Sequence, residues 1–204
     1  MKKRNLVAAL LISVIILVTG CAKEEKVNPF LGTWNGTLDY TQCFTDMIVA
    51  KNADFQHFVG FENLTFTFVF TFTEENISVH IDDASKMQFV SNVEKGVAGM
   101  LDAMAEAEGK RFGITAEQVF ERMDTTRDAY VEKFIKNMKF DTMVDAMVKA
   151  LELNGAYEYD ENKIAVLYDD NTYEEMTYIF GIEDLTIHIS DGTNNFVIPC
   201  TKTE

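Results

Sequence analysis

Between residues 63 and 73 apolar and polar positions alternate without a break. Leu64, Phe66, Phe68, Phe70 and Phe72 share one side, and Thr65, Thr67, Val69, Thr71 and Thr73 the other. A period of two in β-branched and aromatic residues predicts a strand with one buried face. Trp34, Leu38 and Tyr40 alternate in the same way within 33–42. After the turn Glu74-Glu75-Asn76, Ile77, Val79 and Ile81 complete a hairpin, with His80 and Asp82 on the polar side. The period then lengthens. Val90, Val93, Val97, Met100, Leu101 and Met104 recur at helical spacing, and Thr115-Ala116-Glu117-Gln118 matches a capping box before Val119 and Phe120. Further helices carry Tyr130, Val131, Phe134 and Ile135, then Val144, Met147, Val148 and Leu151, stopping at Asn154-Gly155. Segment 45–59 is ambiguous, with Asp46 placed to cap a short helix.

The last fifty residues return to period two. Strands are expected near 156–160, 163–168, 172–180, 184–190 and 195–200, separated by polar turns such as Asp160-Glu161-Asn162 and Asp191-Gly192-Thr193-Asn194. The sum is a mainly β chain with a helical insertion (α+β). About four helices occupy roughly 86–154, after the third of eight strands. Sequential strands on tight turns predict an antiparallel up-and-down barrel. Pro199 lacks an N–H and fits a closed ladder badly, so a strongly curved open sheet stands beside the barrel.

The first twenty residues follow another logic. Lys2, Lys3 and Arg4 precede the apolar run 6–18, which is shorter than the about 20 residues of a membrane span. Positive start and short apolar run form a secretory signal. It ends in Val18-Thr19-Gly20-Cys21, which resembles a bacterial lipobox. That resemblance implies cleavage after residue 20, acylation of Cys21 and an extracytoplasmic protein anchored to the bacterial cell membrane or outer membrane. Ala22, in place of an aspartate, resembles outer-membrane sorting. Residues 22–28 form a polar tether, reaching about 25 Å when extended.

Composition sharpens this picture. The 204 residues are 47% hydrophobic and carry a formal charge of −15, which excludes a disordered chain and a nucleic-acid binder. An acidic body on a lipid anchor stands off anionic head groups. Cys43 and Cys200 remain once Cys21 is lipidated. Outside the cytoplasm the pair suggests a disulfide, worth about 5 kcal/mol on the chain-entropy account; two buried free thiols are the alternative.

Gly32-Thr33-Trp34, preceded by Pro29-Phe30-Leu31, resembles the Gly-x-Trp opening of lipocalins, and short bacterial lipocalin-like domains behind lipoboxes look closer still. The resemblance covers about 29–82 and 155–204 of a single domain at 29–204. It implies an eight-stranded barrel with the tryptophan at its floor and a small hydrophobic ligand inside. In lipocalins an arginine from the last strand stacks on that tryptophan. Here no arginine follows Arg127, which leaves Lys202 for the part. The family's Thr-Asp-Tyr motif is not recognisable, and this chain carries its helices in the middle rather than after the last strand.

Chemistry follows from the faces. Phe66, Phe68, Phe70 and Phe72 line a ligand cavity or simply fill the core, and Met176, Tyr178, Phe180, Phe196 and Ile198 share that interior. Trp34, Leu38 and Tyr40 are placed at its floor. The insert holds seven of ten methionines, Met87, Met100, Met104, Met123, Met138, Met143 and Met147. They suit either packing or an envelope-protein docking surface. His57, His80 and His188 are read as solvated. The acid pairs Asp82-Asp83, Asp169-Asp170 and Glu174-Glu175 are read as turns, because the calcium-loop spacing is missing. No phosphate loop, Gly-x-Ser-x-Gly or dinucleotide pattern occurs, and charged residues are nearly absent from the inward faces. Sequence therefore predicts neither catalysis nor a cofactor or metal. It predicts a lipid-anchored binding protein.

Overall fold

The structure, a computed structural model, describes residues 28–168, 172–190 and 195–203. The signal segment, Cys21, most of the tether and the turn acids Asp169, Asp170 and Asp191 lie outside the described residues. The chain divides into two units, Met1–Phe30 and Leu31–Glu204, and the strands and helices of the described residues belong to the second.

Eight strands form a closed antiparallel barrel in sequence order. They are β1 (Gly32–Asp39), β2 (Thr65–Phe72), β3 (Asn76–Ile81), β4 (Leu153–Tyr159), β5 (Lys163–Leu167), β6 (Tyr173–Phe180), β7 (Asp184–Ser190) and β8 (Asn195–Thr203). The inner face is the predicted one. Phe66, Phe68, Phe70 and Phe72 are buried on β2, opposite Ile164, Val166, Leu185, Ile187 and Ile198 from later strands. Period two in the sequence becomes in-and-out alternation because each pleat sends successive side chains to opposite faces.

Closure depends on the seam between β1 and β8, where Thr33, Trp34, Asn35 and Gly36 pair with Thr203, Lys202, Thr201 and Cys200. Pro199 is tolerated because the ladder with β1 stops at Cys200. Its carbonyl faces Gly36, so the position of its missing N–H also faces β1, just past the last pair. Gly36 itself is required by close approach. A Cβ there would lie 2.5 Å from Ile198 Cγ2 and 2.6 Å from Cys200 Sγ. The closed barrel thus prevails over the open sheet.

Five helices sit on one end. α1 (Thr41–Lys51) and a 3-10 turn (Ala53–His57) join β1 to β2. α2 (Asp83–Phe112), α3 (Ala116–Arg122), α4 (Arg127–Met138) and α5 (Phe140–Leu151) form the insert between β3 and β4. The sequence did not predict α1 in this form. β1 stops at Asp39, whose carboxylate accepts from the Thr41 amide at 2.8 Å and is held below the usual carboxylate range by Thr41. The helix starts there, and Asp46 sits inside it, bonded to Gln42 rather than capping. Only Phe44 and Ile48 of α1 are buried, too few for a clear helical period.

The insert follows its local signals. Asp82, read as a turn acid, caps α2 by accepting from Ser85 N at 2.8 Å. Gly113 ends that helix in the left-handed region at φ 68°. The Thr115–Gln118 capping box is fully formed. Arg127 holds α4 to α2 through a two-pronged contact with Asp102, at 3.0 and 2.8 Å, and Lys86 ties α2 to Asp145 of α5 at 2.6 Å. Among the described residues no helix is long and apolar enough to cross a membrane.

A cavity beneath the helical cap

The two ends of the barrel differ. At the floor, short turns join β2 to β3, β4 to β5 and β6 to β7. Aromatic rings fill it. Trp34 lies 6.1 Å from Phe180, Phe180 is edge-on to Tyr178 at 5.4 Å, and Phe72 is edge-on to Tyr157 at 5.4 Å. The tyrosine hydroxyls escape the apolar interior by donating to turn carbonyls, Tyr157 to Thr73 and Tyr178 to Asp160. Burial pushes the Tyr178 hydroxyl above its ordinary value, so it stays a donor.

At the mouth, the helices enter the barrel's space. Phe89 of α2 stacks on Phe66 at 4.2 Å with the rings 5° from parallel. Phe44 of α1 sets its edge against Phe89, and Tyr40 lies 5.6 Å from Phe196. This aromatic cluster seals the β1–β2 side of the mouth. Tyr40 belongs to it, not to the floor where it was expected.

Between floor and cap lies a cavity of about 230 Å³. Phe68, Phe70, Val79, Met176 and Phe196 form its walls, and Ala150, Leu151 and Leu153 close it where α5 returns to β4. Glu174, Ile189 and Ser190 stand at its rim. Of the nine expected ligand contacts, the structure brings Phe68, Phe70 and Met176 to this space. Trp34, Phe72, Tyr178 and Phe180 form the floor beneath, and Tyr40 and Phe66 the seal beside it. The ends of the phenylalanine stripe are core, and its middle, Phe68 and Phe70, lines this space.

Sequence reasoning missed Glu174. The pair Glu174-Glu175 lies within β6, not in a turn. Glu175 faces outward and pairs with Lys163 at 3.2 Å. Glu174 has the inward parity of Met176 and Tyr178, and that parity was the signal available. Its Oε2 accepts the Tyr168 hydroxyl at 2.8 Å. Burial, followed by this carboxylate, pushes the Tyr168 hydroxyl up to about 12, which keeps it protonated and donating.

Other candidates come apart. Cys43 and Cys200 are free thiols, Cys200 buried and Cys43 half-buried. Cys200 is buried against Gly36 across the seam, its thiol donating to Ile198 O at 3.3 Å, while Cys43 belongs to α1 outside the ladder. His80 and His188 stand on β3 and β7, which are not neighbours. His188 is only half-exposed, with Nε2 buried and unpartnered, and so departs from the solvated reading. Among the described residues no His, Cys, Asp and Glu group suits a metal ion. Of the insert's methionines Met100 is buried, Met87 and Met123 are exposed, and the other four are half-buried. Met104 and Met123 join Phe58, Val119, Phe120 and Tyr130 around an open apolar groove of about 290 Å³.

Comparison of the chain with family models, with curated proteins and with solved structures finds no match in any of the three.

Proposed function

We propose that this protein is a bacterial, extracytoplasmic lipoprotein, anchored through Cys21, whose barrel binds one small hydrophobic or amphipathic molecule. The observation that carries the binding reading is the cavity between Phe68, Phe70, Met176 and Phe196. It is smaller than the about 300–1,000 Å³ of drug-sized sites, so the ligand is compact. The anchor rests on the charged start, the short apolar run and the Val18-Thr19-Gly20-Cys21 box.

Native mass spectrometry of the protein from its host envelope tests both halves. A ligand gives a mass excess that vanishes on denaturation, and acylation gives one that survives denaturation and is lost with Cys21→Ser. A bare mass, with no uptake of a small apolar fluorophore, ends the binding reading. An unacylated Cys21 ends the anchor.

The groove at Met104 and Met123 supports a second reading, docking of an envelope partner on the insert. A photo-crosslinker at position 123 would then give one discrete adduct in the envelope. Its absence removes that reading.

A further inference from the structure

Every strand of the barrel presents an inner row, and two charged side chains, both exposed, share that parity, one at each end of the barrel. Lys202 stands at the floor against Trp34, and Glu174 stands at the rim of the cavity. The two differ in how their charge is met. The Lys202 ammonium lies over an aromatic face, which attracts cations. Glu174 has no cation beside it among the described residues, although its outward neighbour Glu175 has Lys163. One of its oxygens is fixed by the Tyr168 hydroxyl, and the other takes no partner among the described residues. Tyr168 thereby orients an open acceptor beside a space whose walls are hydrocarbon and aromatic.

Such a rim selects by charge. A carboxylate ligand would bring a like charge to Glu174, in a chain already at −15. An ammonium would find a charge-assisted hydrogen bond at the rim, and its apolar body the side chains of Phe68, Phe70 and Phe196 below. Size limits the rest. At about 30 Å³ for each water-sized group, the cavity holds roughly eight of them. One aromatic ring with a short arm is of that scale, and a long acyl chain is not.

We propose that the barrel cavity takes a small primary amine with an apolar body, its ammonium paired with Glu174 and its ring or chain between Phe68, Phe70, Met176 and Phe196. This inference rests on the binding reading above and narrows it to one ligand class. It assigns to Glu174 the choice among ligands and to Tyr168 the positioning of that carboxylate.

The test uses the full chain in phosphatidylcholine nanodiscs, with empty nanodiscs as the blank. Three probes of matched shape are titrated at pH 7 by saturation-transfer NMR: 2-phenylethylamine, 2-phenylethanol and 3-phenylpropionate. The amine is expected to bind roughly tenfold tighter than the alcohol, and the acid more weakly than both. Glu174→Gln should remove that preference, bringing the affinities for amine and alcohol to within about twofold of each other. Tyr168→Phe should reduce it in part. Equal binding of amine and acid, or a preference that survives Glu174→Gln, overturns the amine assignment and leaves the cavity standing. If none of the probes binds, and wild type behaves like a Val79→Phe variant with a filled cavity, the binding reading itself falls.

Discussion

The Lys202 ammonium lies 5.4 Å from the centre of the Trp34 ring, across the β1–β8 seam where the two residues are register partners. The lysine stem passes over Gly32, where an added Cβ would meet its Cε at 3.0 Å. Gly32 also has φ 111°, a conformation that side chains oppose. Glycine, tryptophan and lysine thus form one closure of the barrel floor. Lys202→Ala is expected to cost about 0.5–1 kcal/mol in chemical denaturation, and Lys202→Arg to preserve the contact. Trp34 is the single tryptophan, so its emission reports the floor directly. An unchanged midpoint and spectrum in Lys202→Ala would mean that the contact contributes nothing.

Phe89 is fully buried and stacked on Phe66, joining the insert to the barrel. Phe89→Ala removes that ring from a site with little room to collapse, at an expected cost of about 3–5 kcal/mol. Urea unfolding gives the figure. Hydrogen exchange should show α2 opening ahead of the strands, whereas uniform loss of protection would place Phe89 in the common core.

Gly36→Ala forces a methyl group against Ile198, Cys200 and the Pro199 carbonyl. Because Pro199 O is backbone, 3.1 Å from the new carbon, repacking of side chains cannot relieve all of it. A loss of about 1–3 kcal/mol is expected, with exchange protection reduced first along β1 and β8. A neutral result would show the seam to be looser than its register.

Burial pushes the Cys200 thiol up to about 12, from an ordinary value near 9. At pH 8 native Cys200 should therefore resist iodoacetamide and react only after unfolding, as peptide mapping would show. Stability follows the same shift. Between pH 9 and about 12 the unfolded chain loses this proton while the folded chain retains it, so stability falls as pH rises. Tyr168, raised from 10 to about 12, acts in the same direction over the upper part of that window. Cys200→Ala should make the alkaline decline shallower. An equal slope would show that the thiol does not titrate differently in the two states.

The strand order was legible because half of each strand's residues must face one core, and β2 states that rule in eight consecutive residues. The insert was legible from its caps, since Thr115 and Gln118 act within one turn. α1 was not, because its stability comes from Phe44 meeting Phe61, Phe89 and Phe140, none of them local. The cavity was half legible. Phe68, Phe70 and Met176 follow from parity, whereas Ala150 and Leu151 reach it only because α5 ends over the mouth. Glu174 was hidden beside Glu175. Adjacent acids look like one solvated pair until the pleat sends them to opposite sides.

The insert also bears on the order in which this barrel assembles. β3 and β4 are sheet neighbours, yet residues 82–152 separate them. Bringing the ends of a flexible loop of about 70 residues together costs roughly 3 kcal/mol more than closing a tight hairpin. Once α2 to α5 are folded, that span is no longer flexible. Glu152, just past α5, accepts from the Ile81 amide at 3.2 Å, so the folded insert delivers the start of β4 to the end of β3. The hairpin β2–β3 and the five-strand run β4 to β8 can then form early and separately, with the helices deciding when the two halves meet. A damaged insert would delay this rendezvous and leave two sheets with unpaired edges, each free to join a neighbouring chain.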